Sequence, residues 1–415
     1  MAGISRESIR MKLGKGLASL LLVLLVAAPA AAEGPVLSGR SSTQIMAFSD
    51  ESGKDRVLAQ QYLRALVRGL DNDGTLTVSG YGRLSGDIRN GEAFEGRLYY
   101  LYLDKREMLP ATDVRVGRQF FWNAAGSAIV DGGRVDVHPY RLMTLTAVGG
   151  RHVVFDLTGE ETRRGDYAGA LQLSFDSIPD GSAAISWYRA TDESDLARDA
   201  VGFEGAKQLG KNAEVFTQLR ADLVTETFTE VDAGIRTTPL PNLTVGAEFL
   251  RTVPEFDTTS IYATMAVEKY DYASLTSQYD WNSNLSFTAE FRREKYGDGG
   301  TGNGAELGVR YKPFDGSLGS VFGGMIWRTG AGGDLLGFEL SGEYAWSPTL
   351  LLVGGIQQDA FQTDMMTGSR HATRFWGGVE SKLRKNLSLS ARVEDTISTD
   401  ASKDLRARLT LNANF

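Results

Sequence analysis

Three histidines, His138, His152 and His371, are the residues of this chain best suited to exchange protons near neutral pH. They lie in separate segments, with no local grouping of a carboxylate and a hydroxyl that suggests a catalytic triad. A nucleophile has to be held beside a base, so the sequence favours a protein that is not an enzyme. The chain has no cysteine, which excludes disulfides, thiolate metal sites and covalent haem attachment within it. We predict no cofactor.

Two short motifs resemble ligand loops but lack their key residues. GDGGTGNG at 297–304 has no Gly-Lys-Ser/Thr ending, so a loop between strands is favoured over a phosphate site. DNDG at 71–74 lacks the spaced acids and distal Glu of a calcium loop, and we predict a turn. No metal site is expected.

Charged side chains recur at every second position of apolar segments. In NLTVGAEFLR from 242, NLSFTAEFRR from 284 and NLSLSARVED from 386, alternate residues form two sets, here called parities. One parity is apolar, and the other is polar or charged. Successive side chains of a strand point to opposite sides, so each segment predicts a strand between oil and water. The candidate channel-lining residues on the polar parity are Arg83, Arg115, Arg220, Asp222, Glu248, Glu290, Arg310, Glu339, Glu343, Arg374, Arg392, Arg406 and Arg408.

Two interpretations of these charges stay open. They can keep the wall hydrated and paired with one another, or they can form a ring or a transverse field that biases ion traffic. Spacing within one strand does not show which charges lie at one height.

The chain ends on the same alternating pattern, LRARLTLNANF. Leu405, Leu409, Leu411 and Phe415 share one parity, while Arg406 and Arg408 share the other. Apolar side chains on one face and arginines on the other predict a strand between lipid and an aqueous lumen.

Turn signals divide residues 75–415 into ten units, each long enough for two strands of about 10 residues, a short turn and a longer loop. The signals are LPAT (109–112), VGGR (148–151), IPDG (178–181), GKN (210–212), PLPN (239–242), WNSN (281–284), DGSL (315–318), SPT (347–349) and RKN (384–386). We predict an all-β, closed antiparallel transmembrane β-barrel of 16 to 20 strands, with 20 favoured, over residues 74–415. Between Phe120 and Pro139 the parity is unclear, so an infolded loop or a bulge fits as well as regular strand.

The N-terminal residues predict export followed by a short helical segment. Basic Arg6 and Arg10, an apolar run at 17–28 and Ala30 to Ala32 indicate a signal peptide over 1–32. The chain carries a net charge of −8, which argues against nucleic acid as a partner.

Residues 33–73 are predicted to form a periplasmic segment with one amphipathic helix. In DESGKDRVLAQQYLRALVRGLD, an apolar set follows helical spacing: Val57, Leu58, Tyr62, Leu66 and Leu70. The segment would either pack across the barrel mouth or lie in the lumen as a plug.

The terminal strand resembles the C-terminal recognition signal of Gram-negative outer-membrane β-barrels, because Phe415 is last and apolar residues occupy every second position before it. With the signal peptide, the chain is similar to porin-type barrels over residues 75–415. The resemblance implies a bacterial outer-membrane location, with outer-membrane lipid and the barrel-assembly machinery as partners. It makes Leu409, Leu411 and Phe415 the assembly signal.

Two functions follow from this resemblance. The first is a water-filled channel for passive diffusion of small hydrophilic solutes or ions. The alternative rests on SGYGRLSGD and VRVGRQFF, which look similar to strands of porin-like barrels that sheathe multihaem cytochromes. Here the chain would be a structural barrel around a periplasmic cytochrome in a trans-outer-membrane electron conduit. A homotrimer is a further partner arrangement left open.

Overall fold

The computed structural model describes residues 34–50, 52–155, 160–161, 166–254, 269–313, 318–331, 333–362, 370–399 and 404–415. The predicted signal peptide therefore lies outside the described residues. None of the described residues forms a helix long and apolar enough to cross a membrane.

The described chain is a succession of strands, with bounds as follows: β1 Val36–Ser49, β2 Asp55–Arg68, β3 Leu76–Asp87, β4 Glu95–Leu109, β5 Thr112–Asn123, β6 Gly126–Tyr140, β7 Met143–Phe155, β8 Glu160–Glu161, β9 Tyr167–Ile178, β10 Gly181–Asp192, β11 Asp195–Leu209, β12 Ala213–Asp222, β13 Thr227–Leu240, β14 Leu243–Thr252, β15 Tyr270–Asp280, β16 Leu285–Tyr296, β17 Thr301–Tyr311, β18 Gly319–Gly330, β19 Asp334–Ser347, β20 Leu350–Gln362, β21 Arg370–Arg384, β22 Leu387–Ser398 and β23 Asp404–Asn414.

The sheet closes on itself as a barrel of 22 antiparallel strands. Each strand pairs with its neighbours in sequence, and β1 pairs with β23 from Arg40↔Asn414 to Ala47↔Ala407. The two-residue β8 pairs only with the end of β7 and is not part of the wall. The all-β barrel prediction is confirmed, but the count of 16 to 20 strands is wrong. Residues 75–415 do hold 20 wall strands, and the two that were missed are β1 and β2.

The predicted amphipathic helix is wrong, because its residues form β2. Leu58, Tyr62 and Leu66 are four residues apart, and four is also a multiple of the two-residue strand period, so the same spacing places all three on one face of a strand. Strands β1 and β2 pair along 14 residues each and lie in the barrel wall.

The turn between β1 and β2 is held by the Asp50 carboxylate. It accepts hydrogen bonds from the Ser52 hydroxyl at 2.6 Å and the Arg56 guanidinium at 2.7 Å. These bonds hold the pKa of Asp50 well below its usual range, and the bond from Ser52 has the largest effect. A charged, hydrogen-bonded turn therefore connects the two strands.

The register separates an apolar face from a polar face in most of the wall. Leu389↔Leu411 and Ala391↔Leu409 pair on one face of β22 and β23, while Arg392↔Arg408 pair on the other. Large apolar side chains on the first face are widely exposed, among them Leu101, Leu275, Phe291, Leu340 and Leu409. A continuous exposed apolar belt of this kind requires lipid outside the barrel.

The two rims differ in their connections. The rim that carries Val36 and Asn414, here the terminal rim, has short turns such as 110–111, 179–180, 241–242 and 385–386. The opposite rim, the loop rim, carries longer connections, such as 88–94 among the described residues. The turn predicted at 148–151 is wrong: these residues lie inside β7, and the turn is at 141–142.

A single arginine on each face tests this assignment. Leu409→Arg places a cation on the lipid face midway along β23, and we expect it to lower the free energy of unfolding by about 2–4 kcal/mol. The matched control is Thr410→Arg, one residue away on the lumen face, where the expected change is small. Urea titrations of the barrel in lipid vesicles measure both, and equal losses would contradict the assignment of the faces.

Candidate functional site

The hairpin of β5 and β6 leaves the wall at the loop rim. β5 pairs with β4 only as far as Arg118, opposite Leu101, whereas β5 and β6 stay paired to their tip at Asn123↔Gly126. On the other arm, β6 stays paired with β7 as far as Ile129, opposite Val153. Residues 119–130 are here called the inner hairpin. Beyond the point of departure, side chains of β4 and β7 come into contact: the ring of Phe155 lies 5.9 Å from that of Tyr99 and 4.8 Å from the Arg97 guanidinium.

The tip of the inner hairpin rests on the inner face of β10 to β12. The backbone N–H of Ala125 donates to the Ser186 hydroxyl at 3.0 Å, and Arg220 Nε donates to the carbonyl of Ala124 at 2.8 Å. Ser186 and Arg220 lie on the face opposite the exposed apolar Ile185 and the neighbouring Leu219. Ala124 is only 1% exposed, so the tip is enclosed inside the barrel.

The tip keeps its shape through Asn123. Its side-chain oxygen accepts hydrogen bonds from the N–H groups of Ala125 at 3.0 Å and Gly126 at 2.9 Å. An Asn that bonds to the backbone two and three residues on is a common way to make a tight turn.

A small apolar core forms beneath the inner hairpin. Phe121 packs against Tyr188 with ring centroids 5.9 Å apart. The other members are buried residues of the hairpin and of the wall that faces it: Ala125, Ala128, Val130, Val148, Ala168, Ala170 and Ala190. Phe120 and Trp122 point the other way, and Trp122 is 55% exposed. The hairpin thus buries one face on the wall and turns an aromatic face to the open lumen.

Glycines allow the hairpin to bend inward. Gly117, Gly132 and Gly150 lie opposite one another in β5, β6 and β7. A Cβ at Gly132 would collide with the carbonyl oxygen of Gly149, and Gly117 has a φ of +129°, which side chains rarely adopt. The VGGR motif that suggested a turn is part of this glycine row.

The receiving wall is also shaped by small residues. A Cβ at Gly202 of β11 would collide with the backbone of Ala125 and Ala124, and a Cβ at Gly126 would lie 2.5 Å from the Tyr188 ring. The stretch with unclear alternation, 120–139, therefore belongs to β5 and β6 apart from the turn at 124–125. Its first part, up to residue 130, forms the inner hairpin, whereas residues 131–137 pair with β7 in the wall.

All thirteen candidate channel-lining residues lie on the inner face by strand register. They occupy β3 (Arg83), β5 (Arg115), β12 (Arg220, Asp222), β14 (Glu248), β16 (Glu290), β17 (Arg310), β19 (Glu339, Glu343), β21 (Arg374), β22 (Arg392) and β23 (Arg406, Arg408). Whether they line a conducting channel stays a prediction.

Several of these residues have ion-pair partners that the sequence did not reveal. Arg115 pairs with Asp104 at 2.6 Å and Arg220 with Glu230 at 3.1 Å. Arg406 pairs with Asp404 at 2.6 Å.

On β21 and β22, Arg374 and Arg392 share Glu394 at 3.9 and 3.1 Å. Arg83 and Arg408 make no ion pair with any described residue. Some of the inner charges are therefore neutralised by ion pairs, whereas Arg83 and Arg408 have no carboxylate partner among the described residues.

The inner charges are segregated around the barrel. On the inner face of β11 to β20 the described carboxylates are Glu204, Glu214, Asp222, Glu230, Asp232, Glu248, Asp280, Glu290, Glu294, Glu306, Glu339, Glu343 and Asp359, with cations Arg198, Arg220, Arg236, Arg292, Arg310 and Arg328. From β21 through β1 to β3 the cations are Arg40, Arg56, Arg64, Arg68, Arg83, Arg370, Arg374, Lys382, Arg392, Arg406 and Arg408, with carboxylates Asp87, Glu380, Glu394 and Asp404.

We call these the acidic sector and the basic sector. They adjoin at β20 and β21, and part of each faces the other across the lumen, because β2 and β14 are half a circumference apart in a ring of 22 strands.

The histidines do not come together. His138 lies near Thr144, with Nδ1 to Oγ1 at 3.0 Å, and near Asp113, with Nε2 to the carboxylate at 3.4 Å. This half-exposed group at the terminal rim contains the three residue types of a triad, but the carboxylate contact is long, so we interpret it as a hydrogen-bonded rim cluster. In the described part of the chain, no three acidic or histidine side chains are placed to hold a metal ion. The absence of enzymatic activity stays a prediction.

Comparisons with known proteins agree with the fold. The barrel is similar to a mutant of the ferric enterobactin receptor PfeA from Pseudomonas aeruginosa, with a TM-score of 0.59 and 11% identity over 93% of this chain and 81% of that one. The siderophore receptor PirA from the same organism gives a TM-score of 0.55 and 13% identity over 92% and 81%. OccAB1 from Acinetobacter baumannii gives 0.48 and 12% over 94% and 98%. No protein-family model and no curated protein matches the sequence.

The closed wall and its exposed apolar belt, together with this shared fold, define the class of the protein. It is a β-barrel of the bacterial outer membrane.

Proposed function

We propose that the chain is a porin-like protein that forms a water-filled channel for passive diffusion of small hydrophilic solutes or ions. The observation that carries this proposal is a closed wall with charged side chains inside, in which the inner hairpin is the only described segment that folds into the lumen. With a strand spacing of about 4.8 Å and a tilt near 40°, 22 strands give a backbone radius of about 22 Å. The five-residue arms of the hairpin span about 17 Å, so they cover one side of the lumen.

A planar bilayer recording tests the proposal directly. The purified barrel should give stepwise, voltage-independent current increments, because an open lumen needs no gate to conduct. The same preparation after heat denaturation is the control. A folded barrel that inserts into the bilayer and gives no current steps would overturn the proposal.

A second candidate function is supported by the strand number. Known 22-stranded transporters have a plugged lumen, whereas the described part of this chain supplies only one hairpin. A periplasmic partner such as a multihaem cytochrome could fill the remaining space, which would make the chain a sheath in an electron conduit. Purification from native membranes in mild detergent tests this candidate. A stoichiometric partner with haem absorbance would support it, and a colourless lone barrel would remove it.

The C-terminal residue is a candidate assembly signal and closure point. The N–H of Phe415 donates to the carbonyl of Gly39 at 3.1 Å, and the N–H of Gly39 donates to the Phe415 carbonyl at 2.8 Å. Because these bonds close the seam between β1 and β23, deletion of Phe415 should slow assembly in the outer membrane. The heat-shifted fraction on SDS gels measures assembly, and an unchanged rate would contradict the proposed signal. Leu409 and Leu411 belong to the same signal.

A further inference from the structure

A continuous row of tyrosines lines the inner face of β2 to β4. Tyr62 stacks on Tyr81 at 6.4 Å with 18° between the ring planes, and Tyr81 stacks on Tyr99 at 4.9 Å with 21°. Tyr100 lies 5.8 Å from Tyr81 and 5.6 Å from Tyr102. The rings form an aromatic strip on the inner face of the wall.

A bulge adds one of these rings. Tyr81 is opposite Tyr100 and Gly82 is opposite Leu98, so Tyr99 has no partner in the ladder. The extra residue turns both Tyr99 and Tyr100 toward the lumen, whereas strict alternation would send one of them into lipid. Beyond Tyr99 the strip ends on Phe155, at the level where the inner hairpin leaves the wall.

Most hydroxyls of the strip have no hydrogen-bond partner among the described residues. Tyr62 donates to Gln60 at 3.1 Å. The hydroxyls of Tyr81, Tyr99, Tyr100 and Tyr102 make no hydrogen bond within the described residues, and these side chains are half-buried. Their rings are therefore fixed by stacking, while the hydroxyls remain available to whatever enters the lumen.

Arginines alternate with the tyrosines. Arg64 is opposite Tyr81 and Arg83 is opposite Tyr62, while Arg64 also faces Arg40 across β1 and β2. Neither Arg64 nor Arg83 forms an ion pair with a described residue, and the Nε of Arg83 is buried without a hydrogen-bond partner. Like charges directly opposite each other destabilise a sheet, so an anion between them would relieve a cost that the free wall bears.

We propose that this tyrosine–arginine track, formed by Tyr62, Tyr81, Tyr99, Tyr100, Tyr102, Arg64 and Arg83, binds acidic sugars that enter the lumen. The C–H face of a pyranose ring would pack on the tyrosine rings, its hydroxyls would bond to the free phenol groups, and its carboxylate would pair with Arg64 or Arg83. The inference rests on the proposed channel for access and extends it by naming a class of solute.

Alternative ligands leave part of the track unused. A small inorganic anion would satisfy the arginines but not the aromatic strip. A neutral sugar would bring no anion to Arg64, which faces the like charge of Arg40, and an aromatic acid would leave the phenol hydroxyls without partners. An acidic sugar uses all three features.

Calorimetric titration of the detergent-solubilised barrel with D-glucuronate tests the track without requiring conduction. We expect glucuronate to bind at least about tenfold more tightly than D-glucose, and the double variant Arg64→Gln/Arg83→Gln to lose about tenfold or more, since one charge-assisted bond is worth about that factor. The matched control is Arg236→Gln in the acidic sector, which should bind glucuronate as the unaltered protein does. A heat shift on SDS gels confirms that each variant folds.

Tyr81→Phe/Tyr100→Phe keeps the stacked rings and removes two hydroxyls. This variant should weaken glucuronate binding severalfold and leave benzoate binding unchanged. Equal binding of glucuronate and benzoate with no effect of this variant would overturn the acidic-sugar assignment. Equal binding of glucuronate and glucose, or an equal loss in Arg236→Gln, would overturn the track.

The channel and the track can fail separately. A barrel that conducts in bilayers but does not bind glucuronate overturns the track and leaves the channel. A barrel that does not conduct but binds glucuronate through Arg64 and Arg83 overturns the channel and supports the track. In a conducting barrel, glucuronate should also shorten the open state in a concentration-dependent way, and glucose should not.

Discussion

Replacing residues 119–130 with an Asn-Gly turn is expected to raise single-channel conductance roughly 1.5- to 2-fold, because a two-stranded ribbon about 10 Å thick and 17 Å long would leave the lumen. The barrel should still close. Arg118 and Asp131 are directly opposite in the register and joined by an ion pair at 2.7 Å, so a two-residue turn fits between them. Bilayer recordings at fixed salt measure the change.

The matched control shortens a loop that does not enter the lumen. The connection at 297–300 lies at the loop rim between β16 and β17, and its replacement by Asn-Gly should leave the conductance unchanged. A third variant, Ser186→Ala/Arg220→Gln, removes the two hydrogen bonds to the tip without shortening the chain, and it should increase current noise. Unchanged conductance in the hairpin deletion would show that the inner hairpin does not lie in the path of the ions.

Strand periodicity made most of the wall predictable from the sequence. The repeated segments at 242, 284 and 386 each begin a strand with the predicted parity, at β14, β16 and β22. The alternation in these segments is regular because one face of each strand meets lipid and the other meets water, so the residue type at each position is strongly constrained.

The first two strands were missed because their outer face is mixed. On β1 and β2, polar Ser41, Thr43 and Gln61 occupy the outer parity and bond to one another, with Thr43 to Gln61 at 2.6 Å. Because polar residues occupy the outward-facing positions, the alternation of apolar and polar residues is lost. The apolar residues that remain, such as Leu58, Tyr62 and Leu66, are four positions apart, and this spacing also fits a helix.

The candidate site was also only partly predictable from the sequence. The face of each lumen charge follows from parity within one strand, but the ion pairs follow from register between strands, which sequence does not give. Tyr81, Tyr99 and Tyr100 illustrate the limit, because only the bulge in β4 turns both neighbouring tyrosines inward. The signals that were present but ambiguous are the glycine pairs and the small-residue run NAAGSA at 123–128, which mark the bend and the tip of the inner hairpin.

The glycine row is expected to be the least tolerant part of the wall. Gly132→Ala would place a methyl group against the carbonyl oxygen of Gly149 and the Cα of Gly150, which are backbone atoms that no rotamer change can move. Relief requires β6 and β7 to separate, which would weaken the bend from which the inner hairpin departs. We expect a loss of about 1–3 kcal/mol in the free energy of unfolding, the usual cost of overpacking, from urea titration followed by tryptophan fluorescence.

Gly377→Ala on β21 is the matched control, because a Cβ there would meet no atom within 4 Å. The same substitution in the same kind of strand should change stability by no more than about 0.5 kcal/mol. If the two variants unfold alike, the close backbone approach is not what holds the bend. If Gly132→Ala alone is destabilised and its conductance also rises, the glycine row and the position of the inner hairpin are coupled, since a hairpin that cannot bend inward cannot narrow the lumen.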